Sequence, residues 1–180
     1  VTYTLRIYNE GDIAGYANEV KDDIPEGLEF FPDNTTNINY RWVMYDAEGN
    51  VTEDVSQAVS IRTDYLSKEQ EEATGRENLI DAFDPETMNE PDYKELRIAF
   101  RVTEPNTSDR VIINTAEISE DCNEAGAPVE DIDSTPDNDE AGEDDIDIDK
   151  IKVNYFDLAL RKFITGVNNE SISNRVPVFS

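Results

Sequence analysis

The chain has 180 residues, with 42 acidic and 15 basic side chains that give a formal net charge of −27. Nucleic acids and anionic membrane surfaces are therefore disfavoured partners, because both carry negative charge of their own. The sequence has no His, which excludes Ser-His and Cys-His catalytic pairs, and no apolar run approaches the ~20 residues that span a bilayer.

Composition also bounds the class of protein. Cys122 is the only cysteine, so no intramolecular disulfide can form, and its acidic surroundings predict an exposed thiol. No signal peptide is visible, and we expect the chain to be a piece of a longer protein. We expect no enzymatic activity and no membrane insertion.

The first third of the chain has the alternation of polar and apolar residues that is typical of strands. In residues 1–8, Tyr3, Leu5 and Ile7 share one face, as in a half-buried strand. Further strands are predicted over residues 16–22, 28–31, 38–45 and 58–63.

A helical insertion is predicted near residues 64–90. Ser67 to Gln70 has the sequence of a capping box, and Glu, Gln, Ala and Leu are frequent in the residues after it, a composition that favours helix. Apolar residues at 79–83 supply a stripe for packing. One or two short helices should therefore interrupt the run of strands.

The strand pattern then resumes. Leu96, Ile98 and Phe100 share one parity, and residues 110–119 and 148–153 are also strand-like. Short strands separated by turn signals are typical of antiparallel sandwiches. The fold class predicted from these elements is mostly β, an antiparallel immunoglobulin-like β-sandwich with a short helical insertion.

Three segments occur in an order that is similar to a known group of domains. They are Tyr3–Gly11, Val20–Phe30 and Ile113–Ile118. The set resembles the tandem immunoglobulin-like repeats of Gram-positive bacterial surface proteins and pilins, the Cna-type and related adhesin-stalk families. The resemblance covers most of positions 1–120 and implies an extracellular, cell-surface location.

The resemblance also implies a division of the chain. Repeats of this group open with a strand that ends in a lysine, and Leu158–Ile164 looks like that strand. We therefore expect a sandwich repeat over 1–122, an acidic joint over 123–154, and at 155–180 either the opening strand of the next repeat or a donor strand. Such a strand can complete a neighbouring copy head to tail, or fold back on its own sandwich.

Many repeats of this group carry a spontaneous isopeptide bond between a Lys and an Asn, assisted by a buried acid. By motif position the resemblance implies Lys162 as the amine, Asn114 as the amide and Asp22 as the proton-handling acid. The alternative is that Asn114 is an ordinary hydrogen-bonded strand residue and Lys162 a solvated one.

No Lys or Arg occurs between Glu117 and Asp149, and carboxylates this dense must be solvated or bind a cation. Pro136 and Gly142 occupy the positions where an EF-hand needs its glycine and glutamate, which disfavours that motif. Oxygen-only ligands favour Ca²⁺. The candidate ligands are Asp131, Asp133, Asp137, Asp139 and Asp145, and the alternative is a solvated acidic loop.

The function expected from these features is a non-enzymatic structural repeat of an extracellular bacterial surface protein, a stalk or filament unit stiffened by calcium. Its partners would be neighbouring copies of the same repeat. The alternative is an adhesin module that binds a host protein or glycan through its loops, where Trp42 could stack on a sugar. A carboxylate glycosidase is disfavoured because no acid pair is singled out by an apolar setting.

Overall fold

A computed structural model describes residues 1–103, 110–129, 134–138, 140 and 142–154, together with the backbone of 166–167 and 170–171. Strands make up 42% of the structure and are arranged in two main antiparallel sheets. No helix in the described ranges has the length and apolarity needed to cross a membrane.

The smaller main sheet has three strands in the order β1-β6-β3. The central strand β6 is antiparallel to both neighbours, so that Leu5 lies opposite Leu96 and Phe30 opposite Phe100. Strand β1 is at one edge of this sheet. The bounds are β1 Thr2–Asn9, β3 Leu28–Phe30 and β6 Asp92–Val102.

The larger sheet has five strands in the order β4-β5-β2-β7-β8. All of its pairs are antiparallel, and β2 has a register shift near Glu19, where it meets β7. Strand β8 is an edge and comes from the region that the sequence places in the acidic joint. The bounds are β2 Gly15–Asp23, β4 Val43–Tyr45, β5 Ser60–Thr63, β7 Val111–Asn123 and β8 Ile146–Lys152; a small hairpin joins β9 Gly166–Val167 to β10 Glu170–Ser171.

The hydrophobic core lies between the two sheets. Because side chains alternate across a strand, β6 directs Leu96, Ile98 and Phe100 to the core, where they are 0%, 0% and 4% exposed. Val20 and Ile61 of the larger sheet belong to the same cluster. This packing confirms the predicted antiparallel β-sandwich.

The predicted helical insertion is confirmed as one short helix, α2 Lys68–Thr74. Ser67 is its N-cap and accepts a hydrogen bond from the backbone N–H of Gln70. The Gln70 amide does not reach back to Ser67 but donates to Asp64, so the capping box is half formed. Residues 79–83 are not helical, and Ile80 instead bridges to Gly15 in β2.

The predicted strand over 38–45 is wrong in its first half. Residues Thr35–Asn39 form a helix, α1, whose N-cap Asn34 accepts from the backbone N–H of Thr36. The buried Asn37 amide fixes α1 to β6, since it donates to Ala99 O and accepts from Ala99 N, both at 2.8 Å. A tertiary contact therefore overrides the local strand propensity of this segment.

The prediction of an exposed Cys122 thiol is also wrong. Cys122 lies near the end of β7, is 3% exposed and is a free thiol. It pairs with Tyr16 of β2, another buried residue. The acidic sequence around Cys122 misleads because alternate residues of β7 face opposite sides of the sheet.

Candidate functional site

A groove of about 1140 Å³ runs between strand β1 of the smaller sheet and strand β8 of the larger one. Each of these strands pairs on one side only in the part of the chain that the structure describes. The groove is therefore bordered by two strand edges whose outer backbone groups can pair with another extended segment. Its floor includes Asn114 and Ala116 of β7.

Asp22 and Asn114 form a hydrogen-bonded pair in the interior of the larger sheet. Asn114 Nδ2 donates to both carboxyl oxygens of Asp22, at 3.1 and 2.9 Å. The two side chains are 0% and 4% exposed. They meet because β2 and β7 are neighbours and Asp22 lies opposite Ala116, two residues along β7 from Asn114. The structure thus brings together two of the three residues expected to form the isopeptide bond.

Burial favours the neutral form of the Asp22 carboxyl. Desolvation raises its pKa well above the ordinary value, the negative charge of Asp23 adds to this, and the hydrogen bond from Asn114 acts in the opposite direction. A protonated carboxyl is able to donate a hydrogen bond as well as to accept one. Burial therefore shifts Asp22 toward the neutral form, the form that can polarise a neighbouring amide.

Tyr3 is a further polar residue close to this pair. Tyr3 lines the groove, and burial followed by the charges of Asp149 and Asp22 raises the pKa of its phenol to about 12. The Tyr3 hydroxyl and the Asn114 carbonyl oxygen Oδ1 are both buried without a hydrogen-bond partner among the described residues. Buried polar groups normally have a hydrogen-bond partner. The Tyr3 hydroxyl and Asn114 Oδ1 can therefore still form hydrogen bonds with an incoming group.

The wall that β8 contributes to the groove is acidic. In the β7–β8 ladder, Asp147 lies opposite Ala116 and Asp149 opposite Asn114, and both Asp residues line the groove. Because paired residues in a ladder project to the same face, these carboxylates lie on the side of the sheet that carries Asn114. A ligand that fills the groove should carry positive charge.

The opposite face of the same sheet carries a network of ion pairs. Lys21 Nζ lies 3.7 Å from Glu117 Oε2 and 3.6 Å from Asp137 Oδ1, and Arg62 bonds Glu19 at 2.8 Å and reaches Asp137 at 3.7 Å. Asp137 and Asn138 of the acidic run lie against this face, where Asn138 N donates to Glu117 Oε1 at 2.8 Å. The described part of the run is thus attached to the sandwich.

Asp145 differs from the other acids of the run. Its side chain is buried, 9% exposed, and neither carboxyl oxygen has a hydrogen-bond partner among the described residues. Desolvation, together with the charges of Glu117 and Glu143, raises its pKa to about 6. Its backbone carbonyl accepts from Ile118 N at 2.9 Å, which fixes it beside β7.

The two described members of the predicted calcium set have different neighbours. Asp137 is bound by Lys21 and Arg62, whereas the acids that act on Asp145 are Glu117 and Glu143. Among the described residues no three acidic, His or Cys side chains form a metal-binding group. The predicted ligands Asp131, Asp133 and Asp139 and the predicted amine Lys162 lie outside the described residues.

Sequence reasoning did not single out Tyr3, Glu117 or Asp149. Tyr3 reads as an ordinary inward aromatic residue of a strand, and Asp149 as one acid among many. Glu117 does interrupt the apolar run of β7, and that interruption was the available signal. Trp42, the candidate for stacking on sugar, is 7% exposed and donates its Nε1–H to Arg97 O, so it is a core residue.

Comparison with known proteins gives no assignment. No family model, curated protein or solved structure matches the chain. The features of the molecule that bear on its function are the groove, the Asp22–Asn114 pair beneath it and the acidic run beside it.

Proposed function

We propose that the chain is a non-enzymatic structural repeat of an extracellular bacterial surface protein, a stalk or filament unit joined to neighbouring copies. The observation that carries the proposal is the buried Asp22–Asn114 pair in a groove with two strand edges. A buried acid–amide pair stabilises a fold poorly, since apolar residues of similar shape can do as well or better. Its presence favours a chemical role.

The groove suits an extended segment that pairs by its backbone. A strand inserted beside β1 or β8 would make the ladder hydrogen bonds that these edges offer, and its alternate side chains would point inward. Leu158–Ile164 supplies apolar residues together with the basic pair Arg161 and Lys162. That charge complements the acidic wall formed by Asp147 and Asp149.

The proposed bond is an amide between Lys162 and Asn114. The Lys162 ammonium gives a proton to a carboxylate in the groove, for which Asp149 is placed opposite Asn114 in the ladder. The neutral amine attacks Asn114 Cγ and gives up a second proton, the Cγ–Nδ2 bond breaks, and Nδ2 takes up one proton and leaves as ammonia, while the proton on Asp149 is released to solvent. Asp22, neutral in the fold, donates to Oδ1 once the Asn114 amide turns over, and this stabilises the negative charge that develops there.

Repetition of the contact builds a filament. If Lys162 of one copy reaches Asn114 of the next, the contact is head-to-tail, and a head-to-tail contact that does not close into a ring extends indefinitely. If the segment folds back on its own sandwich, the same chemistry cross-links a single chain. A link between copies gives covalent multimers, whereas a link within one chain gives a lighter monomer, so the two arrangements differ in mass.

Intact-mass spectrometry under denaturing conditions tests the bond. Concentrated wild-type chain should give boiling-resistant multimers that have lost ~17 Da per link as ammonia. A monomer lighter by ~17 Da would place the bond within one chain. A monomer of unchanged mass would contradict the bond, and a chain that also stays monomeric by light scattering would contradict the proposal of a joined repeat.

Matched variants locate the link. Lys162→Arg keeps the charge but removes the nucleophilic amine, and Asn114→Ala removes the amide, so each should abolish the mass change. Lys152→Arg alters an exposed lysine of β8 and should leave linking intact. Linking that persists in Lys162→Arg would show that another lysine is used.

A further inference from the structure

The side of the smaller sheet that points away from the core, which we call the outer face, is open to solvent. Alternate residues of β1 and β6 point to this side, and among them Arg6 and Arg97 are exposed. The aromatic side chains that are exposed in the described ranges all lie on this face or at its margin; they are Tyr8, Phe31 and Tyr93, at 45%, 37% and 40%. Exposed aromatic side chains grouped on one surface indicate an interaction site.

Arginine side chains lie beside these aromatic rings. The Arg6 guanidinium carbon is 5.0 Å from the ring centroid of Tyr93, and that of Arg101 is 4.8 Å from the ring centroid of Phe31. Tyr8 lies opposite Tyr93 in the β1–β6 ladder, with ring centroids 5.3 Å apart. Tyrosine and arginine are enriched in protein–protein interfaces and carry much of their binding energy. The composition of the outer face therefore fits a protein partner.

The outer face differs in charge from the rest of the chain. It carries three arginines and two glutamates, whereas the whole chain has a net charge of −27. Arg6 Nε lies 2.9 Å from Glu95 Oε1, and Arg101 is paired with Glu29. Arg97 forms no ion pair with any residue that the structure describes. Its guanidinium is therefore available to a carboxylate from outside the chain.

The arrangement of Glu95 and Arg97 makes the outer face complementary to itself. The two residues are two positions apart in β6, so both point outward and their Cα atoms are ~7 Å apart. A two-fold axis that passes between them would place Glu95 of each copy against Arg97 of the other. Glu95 uses Oε1 for Arg6, and its Oε2 accepts no hydrogen bond from a described residue. A purely acidic partner would instead face the two glutamates.

We propose that two copies of the chain associate through their outer faces, about a two-fold axis that pairs Arg97 of each copy with Glu95 of the other. Tyr8 and Tyr93 supply the apolar part of the contact. The contact needs neither Lys162 nor Asn114, so it is independent of the covalent link and would hold copies side by side.

The size of the outer face predicts a weak contact. Three strands at ~4.8 Å spacing and the 8 residues of β1 at ~3.4 Å each give about 400 Å² per copy. The total of about 800 Å² is below the roughly 1,200–2,000 Å² of stable complexes. Neighbouring copies in an array of repeats meet at an effective concentration of ~1 mM, which is high enough to populate a weak contact.

Salt has two opposite effects on this contact. Copies with a net charge of −27 repel one another at low ionic strength. At ~0.15 M salt the Debye length is ~8 Å, so the acids far from the contact are screened while the Glu95–Arg97 pairs are retained. At ~1 M the Debye length falls to ~3 Å and these pairs weaken as well. Dimers should therefore be most abundant near physiological salt.

Sedimentation equilibrium of the full chain at ~1 mM tests the proposal, with Lys162→Arg present so that no covalent link can form. The parent chain should dimerise. Arg97→Glu and Glu95→Arg should each raise the dissociation constant about tenfold, because each places like charges opposite one another. An equimolar mixture of the two variants should restore dimers, since both contacts of the mixed pair again join opposite charges.

Lys152→Glu is the matched control, because it makes the same change of charge as Arg97→Glu at an exposed residue outside the outer face. It should keep the dimer, and circular dichroism should show that every variant is folded. A monomeric parent chain, equal losses in Lys152→Glu and Arg97→Glu, or a mixture no tighter than its components would overturn the proposal. Tighter association of Glu95→Arg alone would also overturn it and would assign the outer face to an acidic segment.

Discussion

Replacing Phe30 with alanine is expected to lower the free energy of unfolding by about 3–5 kcal/mol, a large share of the roughly 5–15 kcal/mol that stabilises an ordinary domain. Phe30 is 2% exposed and meets Phe100 edge-on, with ring centroids 6.2 Å apart. Removing the ring leaves a cavity between the two sheets that the strands cannot collapse to fill. Urea unfolding followed by circular dichroism measures the change.

The adjacent residue provides a matched control. Phe31 is 37% exposed, and its ring lies 4.8 Å from the guanidinium carbon of Arg101. Phe31→Ala should cost only about 0.5–1 kcal/mol, the usual value of an exposed cation–π contact. Similar losses for the two variants would mean that the two sheets do not pack face to face over Phe30.

Phe30 is buried and its neighbour Phe31 is exposed. The sequence predicts which face of a strand is buried but not which strands are neighbours. Period-two alternation is a local property, and it correctly predicts the core face of β6 through Leu96, Ile98 and Phe100. It also predicts a strand over 148–153 at the end of the acidic run, close to the observed β8 at Ile146–Lys152. Alternation does not indicate which strands become neighbours, because pairing depends on residues far apart in the chain.

The predictions of a strand over residues 38–45 and of an exposed Cys122 fail for the same reason, because both depend on contacts between residues far apart in the chain. Residues 35–39 are helical because Asn37 binds the backbone of Ala99, 62 positions later. Cys122 is buried because the end of β7 pairs with β2 across more than a hundred residues of sequence. Neither contact leaves a local signature that propensity or composition could reveal.

The candidate site was partly predictable. Motif position indicated Asp22 and Asn114, and the structure places them in contact. Tyr3 and Asp149 could not be found in this way, since their proximity to Asp22 depends on the β7–β8 register and on the packing of one sheet against the other. Whether Lys162 joins the pair stays a prediction, because it lies outside the described residues.

In a Lys162→Arg background, where the covalent link cannot form, the stability of the fold is expected to fall as the pH rises from 5 to 8, and Asp22→Asn should reduce that fall. Burial raises the pKa of Asp22 well above 3.8, so the folded state retains a proton that the unfolded chain releases above about pH 4. Up to the folded pKa, each pH unit then costs about 1.4 kcal/mol of stability.

The Asp22→Asn variant carries no such proton. The new side-chain amide can both accept from Asn114 Nδ2 and donate to Asn114 Oδ1, which lacks a partner among the described residues. The variant should therefore be the more stable protein, by a margin that widens with pH. In the chain that retains Lys162, the same substitution should abolish the mass change, because an amide cannot exchange protons as a carboxyl does.

Urea unfolding at several pH values between 5 and 8 measures the difference in stability between the two proteins. This range lies above the isoelectric point near 4.1, where solubility is lowest. Asp12→Asn, which removes one charge from an exposed residue, controls for the repulsion among the remaining acids. A margin that is independent of pH would mean that Asp22 is ionised in the fold, and the proposed proton chemistry would then fail. A difference in stability that widens with pH would mean that Asp22 destabilises the fold. Such a loss of stability is expected where a buried residue is retained for its function.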